Sequence, residues 1–341
     1  MKNMDLPGAK RYLSRRIWLV AGLFGVIGFG VGWAAQTVMQ RPITPAPLRL
    51  GGYTFTNPLL SCNFSGAKIV AEDQGMRGAM QGVISSHEKA GDVEKASTYF
   101  VDLTTGSWAD TFEKEKYYPS SLGKIPIMMA YYEIADSSST ILSREITYPL
   151  GSTDLNDTQD TKPVDPIIPG RTYSVEELIE HMLKDSDNNA AQLLYDNMDP
   201  DIIRSVYTEL GVPVNDNPTL QNMDFITPQQ IAILFKVLYN GTYLSHDFSE
   251  RALSLMSESS FMDGLVAGVP SSTPVAHKFG IVGISSGGVD TEHELHDCGI
   301  VYAPNNPYLL CVMTRGASSL TDMEDTIADV SKAVYQRVTG Q

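Results

Sequence analysis

The stretch Ser121-Leu122-Gly123-Lys124, running directly into the apolar segment Ile125 to Ile134, decides how the rest of this chain is read. Residues three apart on a helix share a face, so a helix opening here brings the Ser121 Oγ and the Lys124 Nζ together. A serine hydroxyl is a poor nucleophile until a neighbour takes its proton. Lys124 can do so only when neutral, which requires its ordinary pKa of about 10.4 to fall through burial and nearby positive charge, for which Lys278 is the candidate. The head of a helix also offers the Ser121 N–H and the positive end of the dipole to an oxygen developing negative charge. The pattern alone is weak. Ser65/Lys68 and Ser86/Lys89 repeat it, and an isolated copy is usually a serine-capped helix with a surface lysine.

On the amino side, a helical stretch from about Lys68 to Lys89 precedes a β-leaning run, Ser97 to Leu103, closed by Thr104-Thr105-Gly106. A second strand is expected near Phe112 to Tyr118. Beyond Ser121 the middle of the chain reads as helical. It includes Ser174 to Leu183, where Ser174 and Glu177 make a capping box, then Pro228 to Leu238 and Ser249 to Met256. The carboxyl third turns β at Val275 to Val282, Gly299 to Ala303 and Tyr308 to Thr314, and closes on an amphipathic helix, Asp322 to Val338. The expected fold is α/β (α+β): an antiparallel sheet flanked by amino- and carboxyl-terminal helices, with an all-helical lobe inserted.

Two further clusters fall in a telling order: Ser186-Asp187-Asn188 after the helix ending near Leu183, and Lys278-Phe279-Gly280 inside a strand candidate. A lysine in a strand facing a cleft is costly unless it meets an anion or a proton relay. S-x-x-K, then S-D-N, then K-x-G resembles the signature set of class A β-lactamases and their penicillin-binding relatives. The resemblance covers Gly66 to Gln341. It implies a covalent acyl-enzyme at Ser121, with Lys124 as base and Ser186 relaying a proton to the leaving nitrogen. It further implies Asn188 and Lys278 as orienting groups, Gly280 allowing close backbone approach, and the N–H groups of Ser121 and Ile281 as oxyanion hole. The substrate implied is a small β-lactam or a peptidoglycan stem peptide, with no metal or organic cofactor. Asp187 is read as structural.

The chain also departs from that pattern. Phe279 stands where the family has a small hydroxylated residue, and a phenylalanine cannot hydrogen-bond a substrate carboxylate. Class A enzymes present a glutamate that activates the deacylating water from a loop between the second and third clusters. Here Asp224 and Thr227-Pro228 resemble the end of that loop, yet 211–223 contains no glutamate and Asp216 is its one carboxylate. The runner-up is therefore a penicillin-binding D,D-peptidase with slow deacylation. A non-catalytic or sensor module is the reading from another class.

The amino end carries its own signal. Ile17 to Ala35 is uncharged and apolar, preceded by Lys10, Arg11, Arg15 and Arg16. As a helix it would be about 28 Å long, close to a bilayer core of about 30 Å. The basic flank predicts a cytoplasmic tail (1–16), a transmembrane anchor (17–35), a Pro- and Gly-bearing stalk (36–65) and an extracytoplasmic catalytic domain (66–341). A cleavable signal is the rival, with small residues at Gly32-Trp33-Ala34 and a twin-arginine-like Ser14-Arg15-Arg16.

The net charge of -15, with no basic stripe, excludes nucleic acid as a partner. The oligomeric state is left open. Of the three cysteines, Cys298 and Cys311 flank Pro304-Asn305-Asn306-Pro307 as neighbouring hairpin strands would. Cys62 can instead tie to either, or all three can stay reduced. His293, Glu294, His296 and Asp297 crowd together without metal-ligand spacing and read as a polar loop before a strand. His277 reads as structural.

Overall fold

The computed structural model describes residues 52–57, 71–215, 223–286, 289–316 and 319–341. The expected tail and anchor, most of the stalk, Cys62 and Asp216 lie outside the described residues. Among the described residues no helix is long and apolar enough to cross a membrane.

Helix α1 (Gln74–Ala90) starts later than expected. The Asp73 carboxylate accepts the Met76 N–H at 2.8 Å and so defines the cap. Strands β1 (Lys95–Asp102) and β2 (Trp108–Thr111) form the first hairpin. The strand expected over Phe112 to Tyr118 is instead this shorter, earlier β2: Phe112 turns to φ 53, a conformation no strand continues through. Helix α2 (Lys124–Ser137) opens the helical lobe, and the small β3 (Glu145–Thr147) and β4 (Thr172–Ser174) pair beside it. Helices α3 (Val175–Lys184), α4 (Asn188–Asp196), α5 (Pro200–Glu209), α6 (Pro228–Asn240) and α7 (His246–Ser257) complete it. The Ser174/Glu177 box caps α3 as its spacing predicts.

The chain then returns to the sheet as β5 (Val275–Ser286), β6 (Val289–Val301) and β7 (Tyr308–Gly316), and ends in α8 (Leu320–Thr339). The five long strands lie in the order β2-β1-β7-β6-β5, with antiparallel neighbours throughout, so β5 is an edge. On β7, Leu309, Cys311 and Met313 enter the core of the helical lobe, while Tyr308, Leu310 and Val312 pack beneath α1 and α8. A strand with both faces buried has no polar alternation, which is why Tyr308 to Thr314 reads so clearly.

Strand β6 begins ten residues earlier than expected. The stretch His293 to Asp297, read as a polar loop, is the middle of the sheet, with Glu294, His296 and Asp297 fully buried. Hydropathy misses it because each polar group is paired in the interior, where an unpaired one would be expensive. Cys298 and Cys311, direct partners across β6 and β7, form a disulfide.

Candidate active site

Ser121 lies in a 3-10 turn, Ser120–Gly123, that feeds into α2. Lys124, first residue of α2, is buried beneath it. Its Nζ donates to the Ser186 carbonyl at 2.5 Å, to the Ser186 Oγ at 3.0 Å and to the Asn188 Oδ1 at 2.7 Å. Burial pushes the Lys124 amine down to about 7 against the opposing pull of Asp187. The lowering expected from a charged Lys278 needs correcting. Lys278 is itself fully buried and held well below the ordinary ammonium range, by burial first and by Lys124 second. Desolvation, not a cationic neighbour, frees the Lys124 lone pair.

Ser186 and Asn188 sit where α3 meets α4, with Ser186 in the left-handed region at φ 57. Asp187 is structural, as expected. Its Oδ1 caps α4 through the Asn189 and Ala190 N–H groups at 2.8 and 3.1 Å, and its Oδ2 accepts the Ile167 N–H at 2.8 Å. Asn156 completes the arrangement and carries no sequence signal. Its Nδ2 donates to Asp187 at 3.1 Å, and its Oδ1 accepts the Asn188 N–H at 2.8 Å and the Gln159 Nε2 at 2.6 Å. The loop carrying Gln159 and Asp160 is thereby bolted to the backbone of Asn188.

The third wall is β5. A Cβ built on Gly280 would lie 3.2 Å from the Ser121 nitrogen, the Pro119 carbonyl and the Ser120 Cβ, so only glycine lets this strand approach the turn so closely. The Ser120 Oγ donates to the Ile281 carbonyl at 2.6 Å. On an antiparallel strand the C=O and N–H of one residue point the same way, so the Ile281 N–H is directed to the Ser121 side of the edge. Lys278 shares the face of Gly280. Its Nζ donates to the Phe279 carbonyl at 3.1 Å and rests 4.1 Å from the centre of the Phe279 ring. That ring is buried, stacked on Phe261 at 4.3 Å.

Two positioning residues escaped sequence reading. Glu294 and His296, two apart on β6 and so on one face, grip both backbone groups of Tyr118. The Glu294 Oε2 accepts its N–H at 2.9 Å, and the His296 Nε2 donates to its carbonyl at 2.9 Å. Burial raises the Glu294 carboxyl, but His296 and Arg315 outweigh it and leave the group below its ordinary value. Arg315 also binds Asp224 at 2.6 Å, so that carboxylate braces the sheet. Among the described residues no acidic, histidine or cysteine cluster could hold a metal ion.

Ser121, Lys124, Asn188 and Ile281 border one cleft of about 550 Å³, opposite Gln159 and Asp160. Ser186 joins them through Lys124, Gly280 backs Ser121, and Lys278 lies behind the wall rather than on it. A hydroxyl and a deprotonatable amine from one stretch and a carboxamide from a second thus converge against a strand edge supplied by a third.

A family model described as the beta-lactamase enzyme family matches residues 78–338. The chain belongs to that family. Its fold is that of class A β-lactamase-like serine hydrolases. PBP-A is similar at 22% identity and a TM-score of 0.64, over 79% of this chain and 98% of its own. A class A β-lactamase from Bacteroides cellulosilyticus is similar at 19% identity and 0.65, over 78% and 99%. A β-lactamase from Sphaerobacter thermophilus is similar at 20% and 0.64, over 77% and 98%. A PBP-A mutant, 23% identical with a TM-score of 0.63 over 77% and 97%, has been captured as an acyl-enzyme with penicillin G. No curated protein matches the chain.

Proposed function

We propose that this β-lactamase-family protein is a hydrolase of class A type that forms an acyl-enzyme at Ser121 on a β-lactam or a related cell-wall peptide amide. The observation that carries the reading is the buried Lys124 amine, held by Ser186 and Asn188 and pushed down to about 7. Neutral Lys124 takes the Ser121 proton as Oγ attacks the carbonyl carbon. The oxygen that becomes negative is met by the N–H groups of Ser121 and Ile281. Ser186 relays the proton to the leaving nitrogen, while Asn188, which also holds the Lys124 amine, orients the amide. Intact mass after incubation with penicillin is the test: an adduct on the wild type and none on Ser121→Ala supports this reading, and an adduct surviving in the variant defeats it.

The second reading, a penicillin-binding D,D-peptidase, is favoured by the absence of glutamate from 211–223, and Asp160 is the one carboxylate lining the described cleft. A chromogenic cephalosporin separates the two: many turnovers indicate a β-lactamase, a single stoichiometric burst the peptidase. Residues 17–35 anchor the protein, with the catalytic part outside the cytoplasm. The disulfide between Cys298 and Cys311 supports that side of the membrane, since such bonds persist in oxidising compartments. Deleting 1–40 should move the protein from the membrane pellet to the soluble fraction.

A further inference from the structure

We infer that the cleft selects acyl donors whose recognised end is neutral or cationic, and disfavours those bearing a free carboxylate beside the scissile amide. The inference rests on acyl transfer at Ser121 and names the substrate class for it.

Four observations converge. First, Lys124 is the only cation among the described residues lining the cleft, and its amine is committed to Ser186 and Asn188 beneath Ser121. Second, position 279 supplies no donor to an anion, because its ring is buried against Phe261. Third, Lys278 is fully buried and turned onto the Phe279 carbonyl and ring, so it presents no ammonium to the cleft. Burial also holds its pKa well below the ordinary ammonium range. Fourth, Arg315, the guanidinium behind Tyr118, is saturated: it meets Glu294, Asp224, Glu115 and Glu292 and donates to the Lys116 carbonyl.

What the cleft does present is negative. Asp160 lines it from the loop bolted to Asn188. A carboxylate entering such a site gives up hydration without meeting a compensating charge, whereas an ester, a carboxamide or an amine does not meet that penalty. The chemistry itself is unchanged. The Ser121 Oγ–carbon bond forms, the amide C–N bond breaks, and the hydroxyl proton passes by Lys124 and Ser186 to the departing nitrogen.

The test compares benzylpenicillin with its methyl ester on the wild-type protein, following the second-order rate of ring opening and locating the adduct by intact mass. The ester is expected to react about tenfold faster than the acid, and the acid's rate alone should rise as added salt screens the cleft. Asp160→Lys is expected to raise the acid-to-ester ratio about tenfold by reversing the nearest charge. Equal rates, a faster acid, or ring opening of neither compound overturns the inference. A neutral fluorophosphonate probe keeps the two failures apart. Labelling at Ser121 with a faster acid leaves the nucleophile standing and sinks only the specificity, whereas no labelling by any of the three compounds removes Ser121 chemistry altogether.

Discussion

Lys124 concentrates the chemistry of the site in one side chain. Its amine is deprotonated above about 7, because burial disfavours the ammonium more than Asp187 restores it. In the proposed mechanism the neutral form is the base, so the acylation rate should rise with pH, about tenfold per unit below 7, and level off above it. A pH profile of acylation measures this, and a profile flat from pH 5 to 8 contradicts it. Lys124→Arg keeps a positive head that cannot lose its proton, and is expected to lower the acylation rate by about a thousandfold or more while the protein stays folded. Gly280 acts through space alone. Its would-be Cβ already touches the Ser121 nitrogen at 3.2 Å, so Gly280→Val must push β5 from the turn and carry the Ile281 N–H with it. Losing one oxyanion donor typically slows acyl transfer by about a hundredfold or more. The expected signature is a fallen acylation rate constant with little change in substrate affinity.

The element that fixes Tyr118, three residues before Ser121, is β6. Glu294 and His296 bond the N–H and the C=O of Tyr118 as a neighbouring strand would, and Arg315 closes the group from β7. Replacing His296 with leucine leaves the buried Tyr118 carbonyl without a donor and takes one of its partners from the Glu294 carboxylate. Such changes cost about 2–4 kcal/mol. Thermal unfolding should shift down accordingly, and amide exchange over 117–121 should accelerate. His296→Gln, which restores a side-chain donor, should recover part of both; equal protection of 117–121 in all three proteins would count against the clamp. The same element explains why reading from sequence stopped short. A run of His, Glu and Asp resembles solvated loop until the partners are known, and those partners come from 118, 265, 277 and 315.

At the scale of the molecule, the Cys298–Cys311 bond ties neighbouring strands that are 13 residues apart in sequence. Both positions lie inside the core, where their side chains face the helical lobe. Cross-links closing loops of this length contribute about 3 kcal/mol, chiefly by restricting the unfolded chain. The double variant Cys298→Ala/Cys311→Ala should therefore unfold at lower denaturant concentration, and a midpoint unchanged from wild type would refute that estimate. The sequence alone determined the α/β plan and three of the clusters that meet at the cleft, because those features are local: helix spacing, a capping box, apolar strands and short polar motifs in order. It also identified Asp187 as a brace and Gly280 as a point of close approach. Only the tertiary structure decided that β6 runs through His293 to Asp297, that Cys298 pairs with Cys311, that Asn156 locks the cleft loop, and that burial rather than Lys278 lowers the Lys124 pKa. These depend on which distant groups satisfy one another in a low-dielectric interior, and no local pattern encodes that.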